Sequence, residues 1–195
     1  MICAVVLAAG RSERMGTQKL LLPLGGKPVI ARIVDELRQS SHDRIVVVVG
    51  RDGEKVRHAL AGRDVTFATN PDFNGDMLSS IRCGLRATLP DCEAALIVLG
   101  DQPNLTAQLV EKLTRAFADM PGKIIVPANG GHRGHPLLIP TRLAAELLTG
   151  YEKTGLRGLL DAHAAEVCRI EVADSALLED MDTPEDYQRL LGGGV

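Results

Sequence analysis

The chain contains no tryptophan, two tyrosines and three phenylalanines among its 195 residues. So few aromatics exclude the stacking platforms that hold single-stranded nucleic acids. An excess of charge is also missing, since 22 Lys+Arg stand against 25 Asp+Glu for a formal net charge of −3. Duplex binding needs a basic excess, so nucleic acid is excluded as a partner. The longest apolar runs, Ile45–Val49 and Ala94–Leu99, fall far short of the ~20 residues that cross a bilayer, which excludes a membrane partner. Met1–Gly10 is apolar but has no basic stretch ahead of it and becomes charged directly afterwards, a poor fit to a secretory signal. Four cysteines, Cys3, Cys83, Cys92 and Cys168, include no Cys-x-x-Cys pair. Three lie in or beside apolar stretches, where thiols act as small hydrophobes, and the expected compartment is the cytoplasm.

What is present is enough apolar material, 45% of residues, to build a sizeable core. One domain over residues 1–191 is expected, with 192–195 as a frayed glycine-rich tail. Short β-branched runs at Cys3–Ala8, Arg44–Val49, Val65–Thr69, Ala94–Leu99, Ile124–Ala128 and Cys168–Val172 predict strands. Several are apolar throughout, as expected of strands covered on both faces. Between them Val29, Ile33, Val34 and Leu37 share a helical face, as do Leu109, Val110, Leu113 and Phe117. Further helices are predicted at Gly53–Leu60, Met77–Ala87 and Thr141–Leu148, and a last one opens at Thr183-Pro184-Glu185-Asp186 with a cap, a first-position proline and first-turn acids. The alternation implies an α/β layered fold with a mostly parallel sheet, whose ligands belong beyond the carboxyl ends of the strands.

The loop after the first strand carries Gly10 and Gly16 together with Arg11, Arg14 and Lys19, three cations against the single Glu13. Small residues admit a close ligand, consecutive N–H groups cradle an anion, and the cations add charge, which is the composition of a polyphosphate site. The spacing is neither that of a Walker loop nor that of a dinucleotide-binding Gly-x-Gly-x-x-Gly. Two carboxylate positions stand further along. Asp101 follows the Ala94–Leu99 run in Gly100-Asp101-Gln102-Pro103, where a Mg²⁺ ligand or a turn and helix cap are both open. Asp174–Gln188 holds six acids and no Lys or Arg, a pattern that also suits a solvated helix start.

Leu7-Ala8-Ala9-Gly10-x-Ser12-x-Arg14-Met15-Gly16-x-x-Lys19, with Pro23-Leu24-Gly25-Gly26-Lys27-Pro28 after it, resembles the signature of nucleotidyltransferases that activate a small phosphorylated molecule with a nucleoside triphosphate. Within that superfamily it is most similar to the molybdenum cofactor cytidylyltransferases, of the MobA-like NTP transferase family. The resemblance runs from Val5 to Tyr187 and implies a three-layer α/β/α, Rossmann-like nucleotidyltransferase domain. It implies that the backbone of Leu7, Ala8, Ala9, Gly10 and Arg11 and the side chain of Lys19 hold the triphosphate, with Arg14 assisting. Related guanylyltransferases carry Leu-Ala-Gly-Gly here, so Ala9 favours CTP over GTP.

The same resemblance makes Asp101 and Asp182 the Mg²⁺ carboxylates, through Gly-Asp-Gln-Pro and Asp180-Met181-Asp182-Thr183-Pro184-Glu185-Asp186, with Asp180 the weaker candidate. Ser79 and Ser80 are candidates for base or ribose contacts, although helix capping explains them equally and Asp76 is an insertion relative to the usual pattern. Gly134 and His135, in Arg133-Gly134-His135-Pro136, resemble the acceptor-binding segment. Gly155 and Arg157 match a second one, from which Tyr151 and Glu152 depart. His42, His58 and His163 are expected at the surface. The implied reaction is attack by a phosphate oxygen of a molybdopterin-type cofactor on the α-phosphate of CTP, with pyrophosphate leaving and no protein nucleophile. Implied partners are these two substrates and a molybdoenzyme or its maturation chaperone. Open alternatives are GTP, a sugar or isoprenoid phosphate acceptor, a non-catalytic cofactor carrier, and a nucleotide-binding regulator.

Overall fold

The computed structural model describes residues 1–10, 15–40, 43–72, 75–88 and 91–192. In chain order its elements are β1 (Ile2–Ala8), β2 (Pro23–Leu24), β3 (Lys27–Pro28), α1 (Val29–Arg38), β4 (Arg44–Val49), α2 (Gly53–Ala59), β5 (Thr66–Thr69) and α3 (Met77–Thr88). Then follow β6 (Ala94–Leu99), α4 (Ala107–Asp119), β7 (Ile124–Asn129), β8 (His132–Arg133), β9 (Leu137–Pro140), α5 (Thr141–Ala144), α6 (Gly155–Ala162), β10 (Val167–Glu171) and α7 (Pro184–Gly192).

The apolar runs become strands because each must bury side chains on both sides. Along β1, Ala4, Val6 and Ala8 enter one core with α1, α2 and α4. Val5 enters the other, with α3, α5 and α6. The sheet is thus the middle of three layers, in the order β10-β7-β9-β6-β1-β4-β5 with β8 attached to β7. β1 pairs in parallel with both β4 and β6, in a register that sets Ala8 beside Val49 and Leu7 beside Leu99. β9 alone among the long strands runs backwards, antiparallel to β6 and β7. No helix among the described residues is long and apolar enough to cross a membrane.

Strand order reverses at β1, because β4 and β5 follow on one side and β6 opens the other. The crevice beyond the carboxyl ends of β1 and β6 is therefore the ligand position of such a sheet. The helix predicted over Thr141–Leu148 splits into α5 and a 3₁₀ turn at Ala145–Leu148. The reversed strand β9 and helix α6 were not anticipated. Gly192 belongs to α7, so the helix runs one residue into the expected tail.

The cysteines depart from expectation. Cys3 at the start of β1 and Cys92 just before β6 form a disulfide between adjacent strands, with Cα atoms 6.0 Å apart. Cys83 and Cys168 are free and half-buried. On the opposite side of the core, Asp35 of α1 receives Arg63 Nε at 2.7 Å and Lys27 Nζ at 2.8 Å. That pair of cations fastens the β2–β3 hairpin and the end of α2 to α1.

Two expectations follow. A methyl group at Gly84 of α3 would overlap Val5 Cγ1 and stand 2.9 Å from Val48 Cγ2, both on fully buried side chains. Overpacking costs about 1–3 kcal/mol, more than the ~1 kcal/mol that alanine gains in a helix. Gly84→Ala should therefore lower stability to denaturant despite its better helix propensity. The Arg63 hydrogen bond, with Lys27 in support, holds the Asp35 carboxyl down to about 2. A depressed carboxyl contributes stability above its unfolded value that is lost as pH falls through the folded one. Acid titration of unfolding should show this loss below about pH 4, and Asp35→Asn should flatten it.

Candidate active site

Gly100 follows β6 at a point where nothing larger fits, since a Cβ there would lie 2.6 Å from the carbonyl oxygen of Leu7. Its own N–H donates to that oxygen at 3.0 Å. This close seam between β1 and β6 projects Asp101 from rigid backbone into the crevice. Lys19 reaches the same place from the loop after β1. It opens a 3₁₀ turn, Lys19–Leu21, whose Leu20 is buried in the core beneath the site. Asp182 arrives from the chain ahead of α7.

The three meet at one atom. Lys19 Nζ donates to Asp101 Oδ2 at 2.6 Å and to Asp182 Oδ1 at 2.8 Å. Burial works against a charged ammonium, but the two carboxylates outweigh it and hold the Lys19 pKa above its ordinary value. The acidic segment is fixed by its own contacts. Met181 N–H donates to Asp101 O at 2.8 Å, and Met181 itself is fully buried. Gln102, 3% exposed, donates from Nε2 to Asp180 Oδ1 at 2.9 Å and to Leu178 O at 3.2 Å. Asn104 Nδ2 donates to Ala176 O at 3.1 Å. Behind Asp182, the Asp186 carboxylate accepts the N–H groups of Asp182 and Thr183, while Thr183 Oγ1 accepts Asp186 N–H. This reciprocal cap places Asp186 in a structural role, as its helix-start context indicated.

His135 borders this cluster. Its Nε2 is buried and has no hydrogen-bond partner among the described residues. Burial lowers its pKa to about 4, with the Asp101 charge opposing the shift only in part, so the imidazole is neutral near pH 7. Gly134 beside it is a place where a Cβ would press on the Leu178 side chain at 2.9 Å, and its N–H donates to Pro127 O. The segment resembling an acceptor site is thus packed against the acidic segment.

The remaining candidates fare differently. Leu7 and Ala8 are ladder residues of β1. Ala9 lies against Gly50, where a Cβ would come 2.8 Å from Ala9 O. Gly10 is exposed with open space around it. Arg11 and Arg14 lie outside the described residues, so the anion-binding part of the loop is described only by Gly10 and residues from Met15 onward. Ser79 Oγ donates to Asp76 O and accepts Asn70 Nδ2, and its N–H is capped by Asp76 Oδ1. Ser80 Oγ also accepts Asn70 Nδ2. Asp76 therefore caps α3, and both hydroxyls are turned toward Asn70. Arg157 is exposed on α6, and no hydrogen bond or ion pair joins it to the Lys19 cluster among the described residues.

Three of the site's supports were not among the candidate residues. Gln102, Asn104 and Asn70 are loop amides whose partners lie 9 to 78 positions away. His163, expected at the surface, is half-buried between Glu166 on Nδ1 and Glu146 on Nε2, each at 3.0 Å. His58 is exposed as expected, and His42 lies outside the described residues.

Several known proteins are similar to this chain, some of them along nearly its whole length. Over 189 residues the chain is 26% identical to the molybdenum cofactor cytidylyltransferase of Escherichia coli strain K12, covering 95% of this chain and 93% of that protein. The crystal structure of Rv0371c from Mycobacterium tuberculosis H37Rv superposes with a TM-score of 0.87 at 29% identity, covering 98% of this chain and 97% of that one. The structure of that protein in complex with manganese superposes with a TM-score of 0.81 at 27% identity, covering 98% of each. The bifunctional protein GlmU of Cupriavidus pinatubonensis is 37% identical over 114 residues, 57% of this chain, and the chain spans 25% of its length. Residues 4–167, which carry the β1 loop, Lys19, Asp101 and His135, match the MobA-like NTP transferase domain, and the chain belongs to that family of nucleotidyltransferases.

Proposed function

We propose that this nucleotidyltransferase transfers CMP from CTP to the phosphate of a molybdopterin-type molybdenum cofactor and releases pyrophosphate. The single observation that carries the reading is the convergence of Asp101 and Asp182 on the Lys19 ammonium at the β1–β6 crevice. A polyphosphate needs a fixed cation beside it, and its divalent ion needs one or two carboxylates, and both are supplied at one point. The choice of CTP and of the acceptor rests on Ala9, on the Arg133-Gly134-His135-Pro136 segment, and on likeness to the E. coli cytidylyltransferase.

Two carboxylate oxygens facing one cation position are a donor set that suits Mg²⁺, so Asp101 and Asp182 are the residues that would hold it. When bound, Mg²⁺ supplies charge neutralisation on the phosphates and orients them. Lys19 contributes a positive charge to the triphosphate, and Arg14 a second. The N–H groups of Ala9 and Gly10, directly after β1, are assigned to the phosphates in this reading. The acceptor phosphate is already a nucleophile, so the protein's task is alignment, and the segment of the neutral, buried His135 is assigned to the acceptor side. Ser79 and Ser80, which accept Asn70 Nδ2, are the candidates for base or ribose contacts, and Arg157 for a charge at the acceptor's outer end.

Replacing Asp101 by asparagine should cut metal-dependent pyrophosphate release by at least ~100-fold, the scale of losing one electrostatic stabiliser. Thermal unfolding of the variant should stay near that of the wild type. Turnover within a few-fold of wild type would remove Asp101 from the site. Pyrophosphate release with the molybdopterin-type cofactor and each of the four ribonucleoside triphosphates should be fastest with CTP. A preference for GTP would overturn the Ala9 argument, and no release with any of them would favour the carrier reading.

A further inference from the structure

Lys19 and the two aspartates have separate tasks in the proposed reaction, the triphosphate for one and the divalent ion for the others. In the structure they are spent on each other. The Lys19 ammonium lies 2.6 Å from Asp101 Oδ2 and 2.8 Å from Asp182 Oδ1, and Lys19 is only 9% exposed. A divalent cation held by those oxygens would share their space with a second positive charge at hydrogen-bond distance. The two compete for the same oxygens and repel each other, so entry of the metal favours departure of Lys19.

The surroundings decide which partner moves. Asp101 sits directly after the Gly100 seam and its carbonyl is bonded to Met181 N–H. The backbone of Asp182 is held by Asp186 at 3.0 Å. Leu20, next to Lys19, is anchored in the core, and the backbone turn is closed by Leu22 N–H on Lys19 O at 3.2 Å. The backbones on both sides are fixed, whereas the four-carbon lysine stem can change rotamer and carry its charge elsewhere. A withdrawn ammonium beside a cationic, glycine-containing loop needs a new anion, and the triphosphate is the one that the site is built to admit.

The geometry points to Lys19 as an internal cation that occupies the metal position until a nucleoside triphosphate draws it away, so that nucleotide and metal bind cooperatively. This rests on the reading of the site as a metal-dependent nucleotidyltransferase centre. Thermodynamic linkage makes the coupling reciprocal, since whatever releases Lys19 opens the carboxylates, and whatever fills the carboxylates frees Lys19 for the phosphates. The lysine also offsets the mutual repulsion of the two carboxylates.

The test uses Mn²⁺ alone as the probe, followed by electron paramagnetic resonance of the free ion. Lys19→Met should bind Mn²⁺ without nucleotide more tightly than the wild-type protein, on the order of ten-fold. Equal affinity in a variant that unfolds at the wild-type temperature overturns the proposal. Should the variant not fold, the wild-type chain carries the test through acylation of its lysines, read by peptide mass spectrometry. Lys19 should be protected without metal and become several-fold more reactive at saturating Mn²⁺, while exposed Lys55 stays constant. Unchanged Lys19 labelling at saturation overturns the proposal. Neither measurement uses a nucleotide. Failure of CTP turnover therefore bears on the proposed function alone, and indifference of Lys19 to Mn²⁺ in a CTP-active enzyme bears on the coupling alone.

Discussion

One buried ammonium organises the candidate site of this molecule. Lys19 draws together a loop after β1, a strand end at β6 and an acidic segment ahead of α7, from positions 82 and 163 residues away in the chain. The cation offsets the mutual repulsion of two partly exposed carboxylates. The Gly100 seam, the buried Gln102 and the Asp186 cap then need only to hold each backbone in place. In the proposed reaction the groups that pair here would take different partners, Lys19 the phosphates and the carboxylates the divalent ion.

That ammonium lies where it does because the sheet changes direction at β1. Strand order runs outward through β4 and β5 on one side and returns through β6 on the other, leaving a crevice at the carboxyl ends. Both neighbours of β1 are parallel to it, so their loops emerge at the same edge. The reversed strand β9 adds a second contribution, because the His135 turn that precedes it comes back to the same end of the sheet and packs, through Gly134, on Leu178.

Much of this was legible in the residues. Arg44–Val49 and Ala94–Leu99 end as strands at the predicted limits, because uninterrupted β-branched runs can satisfy burial on both faces only inside a covered sheet. The cap at Thr183 and the face of α1 were equally local, set by hydrogen bonds and spacing within a few positions. β9 was not legible, since Leu137–Pro140 is four residues of apolar chain that match strand or helix alike. Nor was α6, whose glycines weaken the helical pattern. The disulfide joins Cys3 and Cys92 across 89 positions, and only the β1–β6 pairing brings them together.

For the site, the sequence by itself determined which chemical groups were available, a glycine-containing cationic loop near its start and aspartates at a strand end and ahead of the last helix. Charge type and local spacing are properties of the chain, so they can be read from it. Tertiary structure alone decided that the cation and two of the aspartates share a single point, that Ser79 and Ser80 turn to Asn70, and that His135 is buried and neutral. Those outcomes depend on distance and on loss of solvent, and both arise only when segments remote in sequence close over one another.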